Sequence, residues 1–138
     1  MSSNLTNGRS IGIIAALGGL TAVVLGAFGA HALKPYLNVD QLNMWEKGVQ
    51  YQFYHAITIL ICFGILKREP STIIRNASFC FALGIICFSG SLYLLSTRHL
   101  TGLPSWFLGP VTPIGGLFFI VGWANILGSV LRKDAKAQ

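Results

Sequence analysis

Charge is what this chain has least of. Only 10% of its 138 residues are Asp, Glu, Lys or Arg, and just four are acidic, whereas soluble domains carry about 25% charged residues. That composition argues against a water-facing surface over most of the chain. It holds no set of paired carboxylates for acid–base work, no nucleophile placed beside a base and no dinucleotide fingerprint. Cysteine is also scarce: Cys62, Cys80 and Cys87 all fall inside apolar runs, where they read as small buried thiols and not as metal or disulfide chemistry. Cys80 and Cys87 share one helical face, yet their backbones lie too far apart for a disulfide.

What is abundant is apolar sequence. Hydrophobic residues make up 53% of the chain and the mean hydropathy is +0.63. Runs of roughly 20 apolar residues recur along the chain, each long enough to cross about 30 Å of hydrocarbon. The sequence predicts an all-α fold, a bundle of four transmembrane helices over about 11–33, 48–66, 73–96 and 113–131. A polar tail, 1–10, precedes the bundle and a basic tail, 132–138, follows it. Between helices one and two, the mixture of Leu42, Met44 and Trp45 with polar residues from Asn38 to Lys47 predicts a short amphipathic helix lying in the interface, with Trp45 anchored at headgroup depth.

The net charge of +6 does not point to nucleic acid, because the basic residues flank the apolar runs and do not cluster with aromatic ones. They read as orientation signals. Arg9, Lys67, Arg68, Arg75, Arg132, Lys133 and Lys136 fall on one side, and Lys34, Lys47 and Arg98 on the other. This places both termini in the cytoplasm. Arg9, the first apolar run and Ala30-His31-Ala32 also resemble a secretory signal, but the run is longer than a signal core of about 7–15 residues.

Small residues recur at helical spacing. Gly18, Ala22, Gly26 and Ala30, with Gly29 beside them, form a stripe on helix one, and Gly84 and Ser91 lie on a second such face in helix three. In lipid, close backbone approach drives helix association, so these are candidate packing seams toward a neighbour in the chain or a second copy. Asn125 in helix four is expected to be buried and to bond across to helix three.

His31 and His55 are the ionisable side chains within or at the end of a span. Such groups are costly in hydrocarbon and need partners. If helices one and two are antiparallel, His31 and His55 are expected to meet, with Tyr51 and Gln52 beside them. The sharper reading is a proton-linked or ligand site; the plainer is a polar clamp between the two helices. Two histidines without a third ligand make a metal site improbable, and no cofactor is expected. The run from Gly109 to Gly116, with Thr112 as a cap before Pro113 and with Gly115 among its glycines, predicts a kinked helix start whose amides offer a candidate anion or lipid loop.

Gly-Ala-Phe-Gly-Ala-His-Ala-Leu at 26–33, Trp45-x-x-Gly48-Val-Gln-Tyr-Gln-Phe-Tyr-His55, Phe88-Ser-Gly-Ser-Leu-Tyr93 and Leu108-Gly-Pro-Val-Thr-Pro-Ile-Gly-Gly116 together resemble the YgdD-like family. Those are small four-helix membrane proteins of bacteria, with mitochondrial relatives. The resemblance implies the architecture and no agreed activity. The residues themselves point to a non-enzymatic membrane protein, and the resemblance implies the bacterial inner membrane. Its partners are expected to be the lipid bilayer and either a second copy or a larger membrane complex, in an accessory or assembly role. The alternative is a small proton-linked transporter or channel built on His31, Tyr51 and His55.

Overall fold

The structure, a computed structural model, describes residues 2–104, 106 and 108–134. Helix α1 spans Ser2–Phe28 and runs on through a π-helical turn, Gly29–Leu33. Helix α2 spans Val39–Arg68. The third span comprises α3, Thr72–Gly84, a second π turn, Ile85–Ser89, and α4, Gly90–Ser96. A single helical turn, α5, covers Arg98–Thr101, and α6 covers Leu108–Asp134. Four segments, Gly8–Leu33, Val39–Arg68, Thr72–Ser96 and Leu108–Arg132, are long and apolar enough to cross a membrane.

The breaks between spans have local causes. Lys34-Pro35 follows α1; Lys34 itself keeps helical dihedrals, at φ −51° and ψ −39°, and Pro35, which has no N–H, cannot extend the helical ladder. The backbone then turns through Tyr36 and Leu37, whose amides both donate to the Leu33 carbonyl. Asn38 caps α2 reciprocally: its side chain accepts from the Gln41 amide while Gln41 Oε1 accepts from the Asn38 amide, both at 2.9 Å. Glu69-Pro70 ends that helix. Gly102, at φ 68°, closes α5 in the left-handed conformation, and its amide donates to Arg98.

Three expectations change here. The segment 38–47 is not a separate interfacial helix; no proline lies between Asn38 and Glu69, and the helix runs on through Gly48, so the segment forms the first turns of α2. Trp45 accordingly points inward at 6% exposure, and its indole Nε1 donates to the Leu25 carbonyl at 2.9 Å. Helix α1 begins at Ser2 and not near Ile11. Helix α6 begins at Leu108 and not near Pro113. Pro110 falls in its first turn, where a missing N–H costs nothing, and Pro113 forgoes a single bond to Gly109. The part of the expected basic tail beyond residue 134 lies outside the described residues.

The helices form an open row. α1 lies along α2, α2 against the third span, and the third span against α6; α1 also meets α3 at one point, and among the described residues the backbones of α1 and α6 do not approach each other. One apolar cluster joins Ile11, Ala15, Ile59, Ala77, Phe81 and Phe119, and a second, at the other end, holds Leu33, Leu37 and Trp45. Glycine sets the spacing at each seam. A Cβ on Gly18 would sit 3.1 Å from that of Ala56, one on Gly29 would strike the Trp45 indole at 2.5 Å, and one on Gly122 would strike the Phe81 ring at 2.5 Å. Ala22 is buried and Gly26 faces Val49, so the α1 stripe is spent on α2 of the same chain. Ala30 is exposed and takes no part in it.

At the end away from the termini, His99 of α5 clasps the α1–α2 turn. Gln41 Oε1 is already occupied by the Asn38 amide, so Gln41 Nε2 is the donor to His99 Nδ1, at 3.1 Å. The imidazole proton therefore sits on Nε2 and is donated to the Tyr36 carbonyl at 3.0 Å. His99→Ala removes both bonds. The expected loss is about 1 kcal/mol, with faster amide exchange confined to residues 34–41 and 97–102. Unchanged exchange there would show that the clasp does not hold the two turns together.

Candidate functional site

Buried polar side chains gather on the inner face of α2, where Trp45, Gly48, Gln52, His55, Ala56, Ile59 and Cys62 follow one another at helical spacing. Two adjoining constellations grow from this face. The first centres on Gln52, only 5% exposed. Its Nε2 donates to the Gly18 carbonyl at 2.9 Å and to Thr21 Oγ1 at 2.7 Å, and its Oε1 accepts from the Tyr93 hydroxyl at 2.9 Å. One amide thus ties α1, α2 and α4 together. Both ends have their partners, as a polar group away from water requires. Tyr93 is held from the other side by Trp45, with ring centroids 4.6 Å apart, and by Gly48, whose missing Cβ makes room for the phenol ring.

The second constellation is a cage of rings around His55, 6% exposed. The imidazole stacks on Phe119 of α6 at 3.6 Å and 6°, with Phe81 at 5.3 Å. His55 Nδ1 lies 2.7 Å from the Tyr51 carbonyl. A carbonyl only accepts, so Nδ1 carries the proton and Nε2 is free to accept from the indole Nε1 of Trp123, at 3.4 Å. A neutral imidazole satisfies both contacts. The charged form would set a second N–H against the indole N–H. Ser89, at the end of the second π turn, is fully buried, and its Oγ has no hydrogen-bond partner among the described residues.

The structure brings Tyr51, Gln52 and His55 together and leaves His31 out. Gly29 and Leu33 are the buried positions of the first π turn, so His31, between them, points the opposite way and is exposed. Ala56 abuts Gly18, which places His55 level with position 18, while His31 lies about 20 Å further along the helix at 1.5 Å per residue. The expected meeting of the two histidines does not occur. Tyr51 contributes its carbonyl and a ring stacked on Phe88 at 4.6 Å. Asn125 is half-buried and donates to Val121 of its own helix at 2.9 Å, so it is not a bridge to helix three.

The glycine-rich run 109–116 is helical and forms no loop. Thr112 shares a 2.7 Å hydrogen bond with Ser91, Gly115 lies against the Phe88 backbone and Gly84 against the Phe119 ring. Only Gly109 lies in the first turn; the amides of Thr112, Gly115 and Gly116 come after it, within the helix. No group of three or more His, Cys, Asp or Glu suited to a metal occurs among the described residues. Thr21, Tyr93, Phe119 and Trp123 belong to the site and were not singled out from the sequence. Their types are common in any span, and only tertiary contact reveals them.

Fold and site together define an integral membrane protein with four spans, locked at mid-depth by buried polar side chains. The chain belongs to a family described as a protein of unknown function, DUF423, whose family model matches residues 25–116. It is 38% identical over 120 residues to a UPF0382 membrane protein of Staphylococcus haemolyticus, covering 87% of this chain and 93% of that one. It is 37% identical to the UPF0382 membrane protein YwdK of Bacillus subtilis, over 87% and 94%. To the UPF0382 inner membrane protein YgdD of Escherichia coli it is 38% identical, over 90% and 91%. No solved structure matches it. The resemblance drawn from the four sequence motifs therefore holds.

Proposed function

We propose that this protein is a non-enzymatic accessory or assembly component of the inner membrane that works by lateral helix contact, as a homo-oligomer or within a larger complex, with both termini in the cytoplasm. The observation that carries this reading is that the two buried polar hubs, Gln52 and His55, are saturated. Gln52 makes three hydrogen bonds and His55 two, all within the chain, and both side chains hold helices to one another. Stacked rings fill the space around the imidazole. The open row supports the reading as well. It leaves α1 and α6 each with an apolar flank, at Leu17, Leu20 and Val24 and at Leu117, Ile120 and Leu127, that is exposed and that no other helix covers among the described residues. The orientation is supported by Arg9, Lys67, Arg68, Arg75 and Arg132, which the alternating spans bring to the same end.

Native mass measurement of the protein extracted in mild detergent should return species heavier than the 14.9 kDa chain. Monomers alone, without co-purifying partners, would overturn this reading. Proton flux in liposomes that is lost in His55→Ala would instead identify a transporter.

A further inference from the structure

Two cavities of about 600 Å³ open near the end of the bundle where α2 stops, within the roughly 300–1,000 Å³ range of ligand sites. They differ in charge. The one beside α6 is lined by Arg132 and by Glu69, a cation and an acid. The one between α1 and α2 presents Arg9 and Lys67 at its mouth, and no acid lines it among the described residues. Its floor is apolar, formed by Ile13, Ala16, Phe63 and Leu66.

Two glycines line the α1–α2 cavity. A Cβ on Gly12 would press on the Phe63 ring at 3.0 Å, and Gly8 has nothing within 4 Å. Lys67 Nζ lies 5.5 Å from the centroid of the Phe63 ring, a cation–π contact that keeps the ammonium over the groove. A smaller cavity of about 210 Å³ shares Gly8, Leu66 and Pro70 with it and adds the guanidinium of Arg75. Arg9 and Lys67 thus border one apolar trough, with Arg75 in the cavity adjoining it, at the end of the spans where lipid headgroups meet acyl chains.

We propose that this trough binds one anionic phospholipid, its phosphate held between Arg9 and Lys67 and an acyl chain laid along Gly12, Ala16 and Phe63. Charge complementarity selects the headgroup, because a zwitterionic lipid would place its own cation beside Arg9 and Lys67. The apolar floor selects a lipid over free phosphate. A basic pocket between spans at the membrane surface is suited to such headgroups. This site is independent of the Gln52 and His55 constellations and of whether the protein oligomerises.

The test titrates the delipidated full-length protein in detergent with phosphatidylglycerol or phosphatidylcholine, read by native mass spectrometry. Phosphatidylglycerol should bind at least about fivefold more tightly, the worth of a single well-placed cation. The double variant Arg9→Gln/Lys67→Gln should abolish that preference without changing the unfolding temperature. Ala16→Phe, which fills the trough and keeps every cation, should weaken phosphatidylglycerol binding by a similar factor. Arg132→Gln, in the other cavity, should leave it unchanged. Equal affinity for the two lipids, full binding by either the double variant or Ala16→Phe, or an equal loss in Arg132→Gln would each overturn the proposal. Free inorganic phosphate competing as well as the lipid does would likewise overturn it.

Discussion

Gly115→Ala is expected to destabilise the protein by about 3 kcal/mol or more, while Gly116→Ala, one residue on, leaves it unchanged or slightly more stable. The added methyl at 115 would collide with the Phe88 amide nitrogen and stand 2.7 Å from its Cα. These are backbone atoms of the second π turn, so no rotamer change relieves the overlap, and α6 would have to move away from the third span. Overpacking that flexible side chains can partly absorb costs about 1–3 kcal/mol, and this contact cannot be absorbed in that way. At Gly116 nothing lies within 4 Å, and alanine gains helix propensity of roughly 0.5–1 kcal/mol. Thermal unfolding in detergent, followed by tryptophan fluorescence, checks both. Equal melting of the two variants would mean that the π turn and α6 are not in backbone contact.

Gln52→Leu is expected to cost about 3–5 kcal/mol. Three hydrogen bonds disappear, each worth about 0.6 kcal/mol in a membrane, and the Tyr93 hydroxyl is left buried without its acceptor, at about 1–3 kcal/mol. Thr21 loses less, because its own hydroxyl still donates to the Leu17 carbonyl at 2.7 Å. The double variant Gln52→Leu/Tyr93→Phe removes the stranded hydroxyl and keeps the ring against Trp45 and Gly48. It should be more stable than the sum of the single losses by at least about 1 kcal/mol. Strict additivity would show that Tyr93 finds another acceptor and that Gln52 is not the hub of the clamp. Because the clamp lies inside the chain, these variants should lower stability without altering how intact molecules associate, which separates packing from partner contact.

How far the site could be read from the sequence varies residue by residue. Gln52 and His55 were legible, since a polar or ionisable side chain in a run of 20 apolar residues has to be sheltered. Their partners were not. Periodicity places Tyr51, His55, Thr58 and Cys62 on one face, whereas the buried face runs through Gln52, His55, Ile59 and Cys62. The neighbouring spans decide which edge of a largely apolar helix turns inward, and in lipid hydrophobicity does not. His31 shows the same limit: its chemistry was evident, but the burial of Gly29 and Leu33 turned it outward.

Composition and spacing by themselves determined that the chain crosses a membrane four times and that Lys34-Pro35 and Glu69-Pro70 interrupt it, because apolar run length and proline act over a few neighbouring residues. Tertiary structure alone decided that 38–68 is one helix, that the glycine-proline run at 109–116 is helical, and that the α1 stripe is spent on α2. It also decided which two cations share a trough. Contacts between spans join residues tens of positions apart, and in a chain whose side chains are nearly all apolar, hydropathy ranks one such pairing no higher than another.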